Sequence, residues 1–391
     1  MLAYWYFTAC LLKWFVLKTE SHQELIVNFN IFILYTFVQM NKKILIIGGG
    51  ISGIYLGYLL KKEGFSIKIL EANNRIGGRI YTKKVEHTKI ELGATWLWRY
   101  NPELLQLCKD LEISLFEQNM NGEALFEAMN GDVPQRIQLP KNQEISYKII
   151  GGTATILQKL ASNFSDNELE VNQIVLKIIE NQKSVQIVTN NSVFNADLVI
   201  STIPPQLLVN TVHFKPTLDE NLVQIANKTH TWMKDSIKFA VVYKTSFWKE
   251  KGLSGAGFSN GGPIAEMYDH SDFKENHFAL TGFLNASLVN ETKEFREEKV
   301  KQQLFKFFGD DGHNYLSYEE KVWKQEDFLN FENNQFLSPH SNNGHAVYQQ
   351  EFLGGKFIVA GSETSPSYGG YMEGAIYRGN QIISQLSEKF L

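Results

Sequence analysis

Hydrophobic positions along this chain fall into short unbroken runs alternating with helically spaced ones. In KKILIIGGG, Ile44 to Ile47 form a continuous apolar run, as expected of a parallel strand buried on both faces. Ile54, Leu56, Tyr58, Leu59 and Leu60 then continue a helix that Gly64 can stop. FSIKILE reads as the next strand and ends at Glu71, and LVISTIPP reads as another further on. Close to the C-terminus, MEGAIYRGNQIISQL carries apolar residues at Met372, Ala375, Ile376, Ile382, Ile383 and Leu386, a helical spacing. Its N-terminus offers free N–H groups and the positive end of a helix dipole.

One run breaks its own pattern. SIKFAVVYK places Lys238 among Ile237, Phe239, Ala240, Val241 and Val242. Side chains alternate along a strand, so Lys238 shares a face with Ala240 and Val242. A lysine there is costly unless it is used. Either it snorkels to water at a sheet edge or a site on that face employs it.

The first 39 residues stand apart. MLAYWYFTACLLKWFVLK and ELIVNFNIFILYTFVQM are rich in aromatic and aliphatic residues, but Asn28 and Asn30 interrupt the second. That stretch is shorter than the roughly 20 residues of a membrane span, and no small-residue cleavage site follows it. The strand at Ile44 follows Met40 almost at once, without a linker. Residues 1–39 therefore read as an extension outside the fold, with Met40 a natural initiator. A membrane is a partner only if that extension is an anchor.

A chain of 391 residues exceeds what one hydrophobic core usually holds, so two domains are expected. Apolar content of 43% and charged content of 20% are those of a globular protein. A net charge of −4 without a basic stripe argues against nucleic acid. Cys10 and Cys108 cannot build a disulfide framework, which suits a reducing compartment and a cytoplasmic protein. No H-E-x-x-H, G-x-S-x-G or Cys/His cluster supports hydrolysis by zinc or serine, and no metal is expected.

Gly48, Gly50 and Gly53 complete a G-x-G-x-x-G between the first strand and the first helix. The first glycine allows the tight turn, the second lets backbone amides approach a pyrophosphate, and the third lets helix and strand pack closely. Glu71 follows at about 20 residues, where its carboxylate can take ribose hydroxyls. It disfavours a 2′-phosphate, and NAD and FAD both stay open on these residues alone.

Later segments resemble the flavin-containing amine oxidase family. EANNRIGGRIYT is similar to the stretch after that family's second strand. By that resemblance Ser52, Glu71, Ala72, Gly77, Gly78 and Arg79 would join the glycine loop around FAD, with Arg79 on the pyrophosphate. ELGATWLW looks like the family's second flavin loop, placing Gly93, Ala94, Thr95 and Trp96 there. YKIIGGTATILQKLA resembles the return to the FAD domain, and Val175 falls where the family contacts adenine through backbone. YEEKVW ends in Trp323, matching an aromatic near the flavin. In FIVAGSETSPSYGGYMEGAIYRGNQII, Gly361 and Glu363 would serve the ribityl chain, and Tyr371 and Met372 would lie against the isoalloxazine. Motifs in the family's order run from Lys42 to the C-terminus.

The resemblance implies an α/β fold: a discontinuous Rossmann-type FAD-binding domain over 40–98, 150–228 and 326–391, and a mixed-sheet α+β substrate domain over 99–149 and 229–325. It implies an oxidoreductase that takes a hydride from a primary or secondary amine and is reoxidised by O₂, with Lys238 near flavin N5 and Tyr371 and Trp323 beside the reacting centre. Glu332 stands where some relatives attach FAD through cysteine, so non-covalent FAD is expected. Asn333 stands where an aromatic often faces the residue matched by Tyr371, and 99–149 is shorter than the family's usual insertion. A desaturase or isomerase of a polyene or porphyrinogen, or a flavin-binding protein without turnover, are the alternatives.

Overall fold

The computed structural model describes residues 42–129, 133–140, 142, 144–329, 331 and 337–390. The expectations for residues 1–39, Glu332 and Asn333 fall outside them. Among the described residues, no helix is long and apolar enough to cross a membrane.

The apolar runs at Lys43–Ile47, Ser66–Leu70 and Leu198–Ser201 lie side by side in a six-stranded sheet, with Leu169–Glu170, Phe357–Val359 and Glu351–Phe352 completing it. All neighbouring pairs are parallel except the last. The period of two divides each run between two cores. Ile44, Ile46, Ile67, Ile69 and Ile200 pack under the helices Ile51–Lys62, Ala154–Ala161 and Met372–Phe390. Leu45, Ile47, Leu70 and Val199 face the opposite way, toward a four-stranded sheet and the helices Pro205–Thr211 and Glu220–Asn227. Burial on both faces is why these strands carry no polar alternation.

A second, seven-stranded mixed sheet contains Ile237–Tyr243, flanked antiparallel by Phe278–Leu284 and Ser317–Val322. Ile237, Phe239, Val241 and Tyr243 pack against Val300, Leu304 and Phe307 of the helix Lys293–Phe308. Ala240 and Val242 pack against Val85 and Ile90 of the hairpin Thr82–Val85 and Thr88–Glu91 and against Leu92 just beyond it. The strand is buried on both sides, and Lys238 stands on the face turned to the hairpin.

Residues 99–149 contribute to both regions. Glu123–Glu127 and Gln135–Ile137 do join the seven-stranded sheet. The helix Pro102–Asp110 instead sends Leu104, Leu107 and Cys108 into the core under the parallel sheet's helices. The carboxylate of Glu373 accepts the free first-turn amides of that helix, Glu103 N at 3.0 Å and Leu104 N at 2.9 Å. An apolar helical face, capped from the C-terminal helix, decides where this stretch packs.

Candidate active site

A cavity of about 960 Å³ lies where the two large sheets meet. One wall is backbone. Gly48 has φ +108°, and the Gly48 N–H donates to the Leu70 carbonyl at 2.8 Å, which turns the chain sharply out of the first strand. Gly77 N donates to Gly49 O at 2.8 Å, so the second glycine segment lies against the first. A Cβ on Gly50 would meet nothing nearer than Gly78 Cα at 3.9 Å, and one on Gly78 nothing nearer than Gly50 Cα at 3.4 Å. The two glycines thus leave a cradle that side chains would fill. The helix Ile51–Lys62 starts beside it with no acidic residue in its first turn, so its free amides suit an anion. Gly53 has a packing role: a Cβ there would sit 1.9 Å from the Gly48 carbonyl oxygen.

Glu71 closes one end of this wall. Its Oε2 accepts from Gly49 N at 2.6 Å and its Oε1 from Asn73 N at 2.8 Å, which fixes the carboxylate and leaves each oxygen a further lone pair. Burial pushes the Glu71 carboxyl up, against the pull of these amides and of Arg75. Gln173 N donates to Glu71 O at 2.8 Å, bringing Val175 to the same end. These donors and acceptors fit a dinucleotide: an open glycine cradle at a helix start for the diphosphate, and an anchored carboxylate for a ribose.

Arg79 and Glu363, assigned separate tasks from the sequence, form a pair. Arg79 Nη2 donates to Glu363 Oε2 at 3.0 Å and to Ser362 Oγ at 2.9 Å, and Nη1 donates to the Trp232 carbonyl at 3.1 Å. Nη1 also lies 2.6 Å from Glu363 Oε1, a buried oxygen on which no donor is aligned. Burial would raise the Glu363 carboxyl, yet the charge and hydrogen bonds of Arg79, with Ser362, outweigh it and hold it below the ordinary carboxylate value. Glu363, Gly361 and Gly53 stand behind the cavity wall. Gly48, Gly50, Ser52, Glu71, Ala72, Gly77, Gly78, Arg79, Gly93, Ala94, Thr95, Trp96, Val175, Lys238, Trp323, Tyr371 and Met372 line it.

The opposite wall is made of side chains. Lys238 is 0% exposed, so it does not snorkel. Its Nζ donates to the Gly93 carbonyl at 2.6 Å and to Thr95 Oγ1, and it lies 4.6 Å from the Trp96 ring centroid. Burial lowers the Lys238 ammonium, opposed by the nearby Glu91 carboxylate, whose own pKa burial raises. Trp323 Nε1 donates to Leu92 O at 2.9 Å, and Trp96 Nε1 to Gln118 Oε1 at 2.9 Å. The loop after the hairpin is therefore held from three directions.

Several lining residues carry no sequence signal of their own. Glu266 and Tyr268 share a face of Ile264–Asp269, and the Tyr268 hydroxyl donates to Glu266 Oε2 at 2.9 Å. Trp232 and Phe283 also line the cavity. Alternation along a strand could have paired Glu266 with Tyr268, but not shown that their face meets the glycine wall. Among the described residues, no group of His, Cys, Asp and Glu is arranged to hold a metal ion.

Residues 121–381 match the family model described as flavin containing amine oxidoreductase, and residues 46–111 that of an NAD(P)-binding Rossmann-like domain. The chain is 24% identical to the probable flavin-containing monoamine oxidase A of Dictyostelium discoideum, covering 89% of this chain and 98% of that protein. It is 23% identical to human flavin-containing amine oxidase B, covering 88% and 85%. Among solved structures, a putrescine oxidase bound to putrescine aligns with a TM-score of 0.78 at 18% identity, over 89% of this chain and 99% of the other. A cyclohexylamine oxidase from Brevibacterium oxydans aligns with the same TM-score, identity and coverage.

Proposed function

The chain belongs to the family of flavin-containing amine oxidoreductases, and from that premise we propose that it oxidises a primary or secondary amine at the expense of O₂, using FAD held without a covalent bond. The observation that carries this reading is Lys238, wholly buried in a strand yet lining the same cavity as the glycine cradle. A cavity built for an apolar polyene has no evident use for that ammonium.

The residues that would hold FAD are the Gly48–Gly50 turn, Gly77, Gly78 and Arg79 at the diphosphate, Glu71 at a ribose, and Val175 at the adenine. Gly93, Ala94, Thr95, Trp96, Glu363, Tyr371 and Met372 would serve the remainder. FAD supplies, when bound, a hydride acceptor for the carbon beside the amine nitrogen, with electrons passed on to O₂ as H₂O₂. Lys238 in its ammonium form has three N–H donors; Gly93 O and Thr95 take two, and the third can bind a water or an oxygen species in the cavity. Trp323 and Tyr371 line the same space. Glu266, half-buried on the roof, would meet a second positive charge on a substrate chain, a preference the putrescine-bound neighbour makes worth testing. The cytoplasmic placement expected from the cysteines belongs to this proposal, and cell fractionation tests it.

The deciding experiment is the absorption spectrum of the purified protein, followed by anaerobic mixing with benzylamine, cyclohexylamine and 1,4-diaminobutane. Bleaching of a flavin band by an amine, and H₂O₂ release on readmitting air, are expected. A flavin band that only a polyene or porphyrinogen bleaches would replace the amine reading. A band that no substrate bleaches would leave a flavin-binding protein without turnover. Acid precipitation should release all FAD into solution.

A further inference from the structure

His340 lies outside every motif considered so far, in the stretch that returns from the mixed sheet to the C-terminal helix. Its ring centroid is 4.6 Å from that of Trp232 at an interplanar angle of 24°, and 5.0 Å from that of Tyr371 at 27°. Trp232 and Tyr371 are themselves 5.4 Å apart, so the three rings form a closed cluster. Both partners of His340 line the cavity, while His340 does not.

Its polar atoms are all engaged. Nδ1 lies 3.1 Å from the Gly369 carbonyl oxygen, which can only accept, and 3.3 Å from Asn343 Nδ2; a ring proton on Nδ1 serves the carbonyl. Nε2 is then the acceptor for the Tyr371 hydroxyl at 3.1 Å. The His340 N–H donates to His230 Nδ1 at 3.3 Å, and His230 N donates to the Ser341 carbonyl at 3.0 Å. His340 holds a left-handed backbone, φ +60°, that aims its ring back at Tyr371. Gly370 admits this packing, since a Cβ there would stand 3.0 Å from Trp232 Cβ. Tyr371 is 40% exposed and immediately precedes the helix Met372–Phe390.

We propose that His340 is a positioning residue: it fixes the Tyr371 and Trp232 rings as one wall of the substrate space and so sets the affinity for the amine. This rests on the amine reading for its consequence, though not for its geometry. The sequence suggested a half-built aromatic wall, with Tyr371 lacking its usual partner. Trp232, from the segment leading out to the mixed sheet, and His340, from the segment leading back, supply rings beside Tyr371 instead. An aromatic surface of this kind attracts an ammonium group through the ring quadrupoles.

The test compares His340→Ala and His340→Phe with the wild type. In the alanine variant, KM for benzylamine is expected to rise about tenfold with kcat within about threefold and FAD occupancy unchanged. His340→Phe, which keeps a ring but no hydrogen bond, should recover most of that loss. Unchanged KM in His340→Ala, or equal losses in both variants carried by kcat or FAD occupancy, would overturn the proposal. A crystal structure of His340→Ala judges the geometry without any turnover: a displaced Tyr371 ring is expected, and one left in place overturns it. Should the alanine variant fail to fold, His340→Leu takes its place: loss of the ring should raise KM for benzylamine above that of His340→Phe, and equal KM values in the two variants contradict positioning by this ring. A wild type inert toward every amine would instead remove the functional reading, while the crystal structure still rules on the ring.

Discussion

The two walls of the cavity are built by opposite means. The parallel-sheet wall consists of backbone: glycines at a strand end, amides at a helix start and one fixed carboxylate. The mixed-sheet wall consists of side chains projecting from strands whose other face is an ordinary apolar core. A backbone wall recognises a shape common to many ligands, and a side-chain wall can be changed residue by residue without disturbing the fold. The first should bind and the second should discriminate and assist.

Substitutions can break that division. The largest effect is expected at Gly53, where a Cβ would lie 1.9 Å from the Gly48 carbonyl oxygen. Gly53→Ala should yield no folded yellow protein, whereas Gly50→Ala, with Gly78 Cα 3.9 Å away as its nearest neighbour, should fold and lose flavin. Melting temperature and the ratio of flavin to protein absorbance separate the two; equal flavin occupancy in Gly50→Ala and wild type would count against a diphosphate cradle.

Next comes Arg79→Ala, which strands the wholly buried Glu363 carboxylate. Breaking a buried pair costs about 3–5 kcal/mol, and urea denaturation should show it. Glu363→Gln in addition should return part of the loss. Because the folded Glu363 carboxyl is held below its ordinary 4.5, its contribution is present above that pH and is lost as pH falls through the lower folded value. Arg79→Ala should therefore lack that acid limb, and an unaltered limb would show that the pair does not govern stability.

Lys238→Met probes the other wall and should do the reverse. Burial lowers the lysine from 10.5, so the unfolded chain holds more protons between neutral pH and that value, and wild-type stability should rise with pH across this window. The methionine variant should lose that rise, fold at least as well at neutral pH and retain FAD. Its reduced flavin should nevertheless reoxidise in air about tenfold more slowly, a barrier change of about 1.4 kcal/mol. Stopped-flow mixing with O₂ reads the rate, and an unchanged rate would leave Lys238 a structural donor to Gly93 and Thr95.

The smallest effect is expected from Glu266→Gln. Oxidation of 1,4-diaminobutane should weaken several-fold in kcat/KM while benzylamine is little affected. Equal changes for both would mean that the carboxylate does not read a second charge.

How much of this was legible follows the same division. The β-strand runs, the glycine spacing and Glu71 are local: a turn needing φ above zero and a strand buried on both faces each leave a mark within a few residues. Lys238 was visible as an anomaly, since a lysine on an apolar strand face demands a reason; the strand pattern left open whether water or a cavity supplied it, and only the family resemblance pointed to the cavity. The Arg79–Glu363 pair joins residues 284 apart, and no local rule connects them. The packing of the helix Pro102–Asp110 was not legible, because its apolar face can pack on either core, and Glu373, far along the chain, caps it where it sits. Nor did the His340, Trp232 and Tyr371 rings carry any spacing to join them. The sequence by itself determined the alternation of elements, the glycine turn and an acid at the end of the second strand, because backbone conformation is decided over short distances. Only the tertiary structure decided which side chains face one another across the cavity, because that depends on how two sheets, each satisfied within itself, are laid together.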